Sequence, residues 1–402
     1  MRISRPFFLI MIAIFTFPCV KSQNDHTNEN LAHAEYQTKL LLEEVINTSK
    51  GKGKIVPRTL TKYGELHLVN SRNWTSGFFP GTLWLLYEMS EDKFWMEQAE
   101  LYTKMIEKEK FDGESHDVGF KIYCSFGNGY RLTGQEEYRN VILQAAKTLI
   151  TRYDPKIGAI RSWDHNDDKW DYPVIIDNLM NLELLFAATR FSGDSTYYDI
   201  AVDHANTTLE NHFREDNSSY HVVDFNPETG EVQGKNTHQG YSDESDWARG
   251  QAWGLYGYVM IFRETDNNIY LDQAKKIANF LLSHPHLPND MIPYWDFDVT
   301  DLENEPRDVS SAAIMASALY ELSCYSNNQK KYKEAADQIL KSINSKYRSP
   351  KGHNKGFILQ NSTGHKPKNS EIDVPLNYAD YYYLEALLRK RKLKKDMKLF
   401  KE

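Results

Sequence analysis

The run Val174-Ile175-Ile176-Asp177-Asn178-Leu179-Met180-Asn181-Leu182-Glu183-Leu184-Leu185-Phe186-Ala187-Ala188-Thr189-Arg190-Phe191 leads through Ser192-Gly193-Asp194 to the pair Tyr197…Ala201. Its first part is apolar and low in charge, which suits a helix buried on most sides. The polar turn ends that helix. An aromatic four residues ahead of an alanine then opens a second, amphipathic helix that packs on a neighbour. The same signals recur as Trp95…Ala99 after Ser90-Glu91-Asp92, Tyr270…Ala274 after Thr265-Asp266-Asn267, and Tyr332…Ala336 after Ser326-Asn327-Asn328. Thr133-Gly134-Gln135 with Tyr138 is a looser copy.

With an opening helix near Asn30 to Asn47, this gives six amphipathic helices rich in Lys and Glu. Between them fall six apolar ones, near Gly81–Met89, Val118–Leu132, Val174–Phe191, Ser245–Arg263, Ser310–Tyr325 and Leu376–Arg389. A period of roughly 40 to 70 residues repeated in this way marks a closed helical array. The expectation is an all-α chain, an (α/α)6 toroid of six inner and six outer helices, with an open solenoid as the alternative. No Pro/Gly/Ser linker divides it, so residues 23–402 are expected to form one domain.

Residues 1–22 read as a signal peptide. Arg2 and Arg5 precede the apolar run Phe7 to Phe17, too short to span a bilayer, and Val20-Lys21-Ser22 suits cleavage. Export is expected, to the periplasm first. A lipid anchor at Cys19 is the lesser alternative, because Thr16-Phe17-Pro18 lacks the small residue expected before a lipidated Cys. The chain of 402 residues, 41% hydrophobic, has ample material for a large core. Cleavage would remove three of its 48 Lys and Arg and none of its 56 Asp and Glu, taking the net charge from −8 to −11. That argues against nucleic-acid or anionic-membrane partners. An anionic substrate would need a few local donors. Cys124 and Cys324 lie in apolar, helix-like stretches and are expected as free, buried thiols.

The toroid brings the segments entering the inner helices to one end, and almost every one carries an acid. Helix capping accounts for Asp243, Asp308 and Asp373. Asp177 is different: it opens an almost wholly apolar helix, where burial raises a carboxyl pKa and suits a proton donor. The alternative is a buried structural Asp hydrogen-bonded to the next turn. Asp117, between His116 and Gly119, sits equivalently one inner helix earlier. Paired carboxylates across a pocket are the equipment of glycoside chemistry. Trp74, Trp163, Trp247 and Trp253 fall in or near the convergent loops, where rings stack on sugar faces, although each alone suits core packing equally. No HxxxH or HExxH pattern, phosphate loop, GxSxG elbow or Cys–His pair is present, so neither metal nor cofactor is expected.

Six runs then become specific: Trp74-Thr75-Ser76-Gly77-Phe78-Phe79-Pro80-Gly81, His116-Asp117-Val118-Gly119-Phe120, Ile176-Asp177-Asn178-Leu179-Met180-Asn181, His238-Gln239-Gly240-Tyr241-Ser242-Asp243, Trp247-Ala248-Arg249-Gly250-Gln251-Ala252-Trp253-Gly254 and Tyr378-Ala379-Asp380-Tyr381-Tyr382. In order and spread, they resemble the unsaturated glucuronyl hydrolases, glycoside hydrolase family 88. The resemblance implies an (α/α)6 fold and removal of the 4,5-unsaturated uronic acid that polysaccharide lyases leave at a non-reducing end. Glycosaminoglycan and ulvan oligosaccharides are the substrates it implies. It further implies Asp177 as general acid and base and Asp117 as the second essential carboxylate, nucleophile or electrostatic partner. By the same matching, Trp74, His116, Trp163, His221, Gln239, Trp247, Arg249, Trp253 and Tyr378 line the sugar site, and Lys235 and Thr237 reach the next sugar or its sulfate.

Three alternatives stand beside it: an unsaturated rhamnogalacturonyl hydrolase, an ordinary inverting glycosidase on this fold, and a toroidal epimerase or binding protein. Arg249, one turn before Trp253, is the expected carboxylate grip, since a guanidinium offers two parallel N–H bonds. An ion pair with Asp243 or Asp246 is its competing role.

Overall fold

The structure is a computed structural model that describes residues 25–49, 53 and 55–400, so the expected leader and Cys19 lie outside the described residues. In chain order its principal helices are α1 (Asp25–Ser49), α2 (Phe78–Ser90), α3 (Lys93–Met105), α4 (the contiguous pieces Val118–Ile122, Tyr123–Gly127 and Asn128–Thr133), α5 (Glu136–Ile150), α6 (Leu182–Ser192), α7 (Thr196–Asn211), α8 (Ala248–Thr265), α9 (Asn268–Ser283), α10 (Val309–Tyr325), α11 (Gln329–Ser342) and α12 (Asn377–Lys394). Odd-numbered helices form the outer ring and even-numbered ones the inner ring of an (α/α)6 toroid. One continuous buried cluster draws on all twelve, from Ala34 to Leu388.

The repeated polar turns have a mechanical explanation. Inner helices α2, α4, α6 and α8 each end on a left-handed residue, Glu91, Gly134, Gly193 and Asp266. That conformation stops a helix by turning its last carbonyls back onto N–H groups. The side chains of Asp92, Asp194 and Asn267 then accept from Phe94 N, Thr196 N and Ile269 N, which starts the outer helix. The aromatic–alanine pairs drive these helices inward: Trp95, Tyr270 and Tyr332 are buried together with Ala99, Ala274 and Ala336.

Short strands decorate the end where inner helices begin: β1 (Val56–Leu60), β2 (Leu66–Val69), β3 (Tyr153–Asp154), β4 (Ala159–Ile160), β5 (Pro173–Ile175), β6 (Val222–Phe225) and β7 (Val232–Asn236). Strands β5, β6 and β7 form one antiparallel sheet in that order. Alternation buries both of its faces. Val174 and Val223 pack with Ile157 and Tyr172, while Ile175 and Val222 pack with Trp163 and Trp170.

Several expectations need correction. Val174–Phe191 is not one helix: its start is strand β5, followed by a 3₁₀ segment Ile176–Asn181 that leads into α6. Val174-Ile175-Ile176 is β-branched and apolar, a run that helix and buried strand share. Of the three expected caps only Asp308 serves, accepting from Ser310 N at 3.1 Å. Asp243 receives Thr237 N inside a loop, and Asp373 receives the Asn361 amide, each several residues before its helix. Cys124 and Cys324 are free, but neither is fully buried: Cys124 is half-buried, and Cys324 is exposed because α10 leaves the core in its last turn.

Candidate active site

Asp177 occupies the 3₁₀ segment that joins β5 to α6. Ile176 N bonds His221 O at 3.1 Å, tying that segment to the start of β6. Asp117 reaches the same place through Gly119. A Cβ on Gly119 would stand 2.6 Å from Asn181 Cα, so only glycine lets α4 approach this closely. Asn181 Oδ1 accepts from Phe120 N at 2.8 Å and locks the approach. The Asp117 side is held by Ser115, whose hydroxyl donates to Asp117 Oδ2 at 2.6 Å, and by His116 Nε2, 3.3 Å from Oδ1.

Burial pushes the Asp177 carboxyl up to about 7; Arg249 opposes this, and the nearby Asp117 charge reinforces it. Asp246 and Asp380 are also raised by burial, to about 7 and about 8. They are already engaged: Asp246 by Arg214 at 2.9 Å, Asp380 by the N–H groups of Ile358 and Leu359 at 2.9 Å each. Asp177 Oδ2 alone of these is closed to water and has no hydrogen-bond partner among the described residues. A raised, unpaired carboxyl is free to deliver its proton.

The surrounding donors share that condition. Trp253 Nε1 bears on the same carboxyl without closing a hydrogen bond, and Trp163 Nε1 and Tyr378 OH are likewise buried and unpaired. His221 Nδ1 accepts from His238 N and Gln239 N, each at 3.1 Å, so the neutral ring carries its proton on Nε2. That Nε2 points at Asp177 Oδ2 from 3.8 Å, and burial holds the ring well below the usual histidine range. His221 is therefore a fixed neutral donor beside the acid.

Most residues expected at the sugar site are brought together here. Trp247 lies under His221 at 4.5 Å, Trp74 packs against Tyr378 at 5.1 Å, and Phe120 bridges Trp74 and Trp253. His116 N bonds Ser162 O, which sets Trp163 beside the Asp117 turn. Gln239 is fixed by its amide donating to Gly364 O at 3.2 Å. One residue stands apart. Lys235 reaches over Tyr220 at 5.0 Å, with Arg214 on the same ring. Thr237 lies against the site: its hydroxyl accepts from Gly240 N at 2.8 Å and stands 3.5 Å from His221 Nδ1.

Arg249 is fully buried, and its ion-pair partner is Asp308 at 2.9 Å rather than Asp243 or Asp246. Its other donors go to Thr363 O and Gly364 O, while its plane stacks on Trp247 at 4.6 Å. The guanidinium thus pins the loop around residues 363–364 over the site. Sequence reasoning missed Ser115, two residues from the carboxylate it holds, and His365, whose ring meets His238 on a distant loop. It also passed over the Arg58–Glu371 pair at its edge, where Arg58 also donates to Asn73 Oδ1. Among the described residues no cluster of three or more His, Cys, Asp or Glu is placed to hold a metal ion, and no helix is long and apolar enough to cross a membrane.

A toroid whose inner-helix mouths present a raised acid, a second carboxylate and a wall of rings has the equipment of a glycoside hydrolase. Residues 52–390 match Glycosyl Hydrolase Family 88, and the chain belongs to that family. It is 46% identical to an unsaturated glucuronyl hydrolase of Formosa agariphila over 394 residues, covering 96% of this chain and 98% of that one. An unsaturated chondroitin disaccharide hydrolase of Streptococcus pneumoniae is 35% identical over 80% of this chain and 83% of its own. The crystal structure of an unsaturated glucuronyl hydrolase specific for heparin superimposes with a TM-score of 0.88 at 45% identity, covering 92% of this chain and 98% of that one.

Proposed function

We propose that this glycoside hydrolase removes the 4,5-unsaturated uronic acid from the non-reducing end of polysaccharide-lyase products by hydrating its enol ether double bond. The observation that carries the reading is Asp177: a buried carboxyl raised to about 7, with one oxygen unpaired inside a ring of unpaired donors. Protonated Asp177 gives its proton to C4, and positive charge develops at C5 and the ring oxygen. Asp117 stabilises that charge. Water then adds at C5, with the Asp177 carboxylate taking its proton. The resulting hemiketal opens, and the C1 hemiacetal releases the leaving sugar together with a 4-deoxy-5-keto uronate.

His221 Nε2–H, Trp253 Nε1–H and Trp163 Nε1–H are donors suited to the sugar's carboxylate and hydroxyls, and Trp74 and Tyr378 supply flat faces. The relatives named for chondroitin and heparin substrates favour glycosaminoglycan fragments over ulvan fragments. Residues after the leader act as one catalytic domain on this reading. Export rests on the basic and apolar leader of residues 1–22.

The test is direct. Unsaturated disaccharides absorb in the ultraviolet through their double bond, and the protein should bleach that absorbance on a panel of lyase-digested glycosaminoglycans. An inverting glycosidase would release sugar and leave the absorbance unchanged.

A further inference from the structure

We infer that His365 determines specificity for the leaving sugar, donating one hydrogen bond and accepting another from neutral groups of that sugar, its hydroxyls or an acylated amine. The inference rests on the unsaturated-uronate reading above and adds the group recognised on the other side of the scissile linkage.

His365 sits on the loop after Gly364, whose carbonyl is held by Gln239 and Arg249, and a two-way backbone bridge with Ser370 fixes its own position. Its ring stands edge-on to His238 at 5.0 Å, and His238 stands 6.4 Å from His221. The series Asp177, His221, His238, His365 thus runs away from the acid along one wall, with His365 two rings beyond His221.

Both ring nitrogens of His365 are shut off from water, and neither bonds any described residue. A buried polar atom without a partner is uncommon, and here one ring carries two. A ligand that fills this gap must match what the ring offers.

That offer is set by charge. Burial, then Lys368 and Arg249, pull His365 down to about 4, with Glu371 opposing and Arg58 assisting. His238 and His165 are lowered as well, and the Lys368 ammonium donates to His238 Nε2 at 3.4 Å. A neutral imidazole has one N–H and one bare nitrogen. Two neutral groups of the sugar, one accepting from the N–H and one donating to the bare nitrogen, satisfy both, and hydroxyls and a secondary amide can fill either part. A sulfate oxygen only accepts, and would set its lone pairs against the bare nitrogen.

The experiment compares three substrates sharing the unsaturated uronate: an unsulfated disaccharide with an N-acetylated leaving sugar, its O-sulfated counterpart, and the methyl glycoside, which lacks the second sugar. The reading is the ratio of kcat/KM on the unsulfated disaccharide to that on the methyl glycoside. In His365→Ala this ratio should fall about tenfold, the loss of one or two neutral hydrogen bonds, chiefly through KM. His365→Gln, which keeps a donor and an acceptor, should restore most of it. A ratio within about twofold of the wild type overturns the inference, since equal losses on both substrates mean a structural role. A loss confined to the sulfated disaccharide also overturns it, because the ring would then bind as a cation. If the wild type bleaches none of the three, the proposed function itself fails, and the two failures are told apart.

Discussion

The two ends of the toroid handle buried polar groups in opposite ways. Toward the far end of the inner helices, Arg263 is shared by Glu183, Glu264 and Glu321, and Arg389 by Glu321 and Glu385. Tyr256 bonds both Glu385 and Arg389, and Arg389 also donates to Ser317 O. Every charge there has a partner from another helix, and none of these side chains holds a buried unpaired atom. At the near end Asp177, His221, Trp253, Trp163, Tyr378 and His365 all do. The same ring of helices thus carries a paired charge network at one end and a cluster of unpaired donors and acceptors at the other. Buried polar groups without partners lower stability, so a site that keeps several is held open for a ligand that supplies them.

Asp177→Asn should break the near end chemically while leaving the fold intact. An amide cannot deliver the proton, so turnover should fall by about 10²–10⁴. Steady-state bleaching of the unsaturated substrate measures it, and a loss below about tenfold removes Asp177 from the acid role. Asp117→Asn should be severely impaired by the same assay, and full activity would reduce it to a helix-start residue. In the wild type, activity should decline as pH rises through about 7, where Asp177 loses the proton it must donate.

Glu321→Ala should break the far end instead. It strips Arg263 and Arg389 of their shared carboxylate and leaves two buried guanidiniums short of charge. Removing one partner from a buried network costs about 3–5 kcal/mol, read as a large fall in Tm. The kcat of the folded fraction at low temperature should hold. A variant that melts normally but turns over slowly would show that the two ends are not separate.

Arg249→Lys is smaller and sharpens the boundary between them. An ammonium cannot reach Asp308, Thr363 O and Gly364 O together, so about 1–3 kcal/mol of stability should be lost. Tm should fall, with KM following modestly as the 363–364 loop loosens. An unchanged Tm with a raised KM would restore Arg249 to direct substrate binding.

How much of this was legible beforehand follows from the range of each interaction. The helical repeat was readable because its signals are local: a left-handed stop, a capping acid, an aromatic–alanine pair within one turn. Asp177 stood out because a lone acid in an apolar run is also a local anomaly. The Asp308 partner of Arg249 was not readable, since 59 residues separate them and nothing in either neighbourhood names the other. Nor was His365, whose interest lies in what its ring fails to bond. The strand at β5 was misread because three β-branched or apolar residues fit a buried strand and a buried helix equally.

The last prediction turns the near end's deficit into a stability measurement. A carboxyl in the unfolded chain loses its proton near 3.8, whereas native Asp177 keeps its proton up to about 7. Between those values the native state binds the extra proton, so this group's contribution to stability falls as pH rises from about 4 to about 7 and stays low above that. Asp246 and Asp380 follow the same course, but they are present in both proteins and cancel when wild type is compared with Asp177→Asn. The amide cannot ionise. The variant should therefore match or trail the wild type in Tm at pH 4 and exceed it at pH 8. A pKa difference of one is worth about 1.4 kcal/mol, so a gain of at least about that size is expected at pH 8. Equal melting temperatures at pH 8 would mean that the native carboxyl ionises at no cost, and Asp177 would then lack the strained proton on which its role depends.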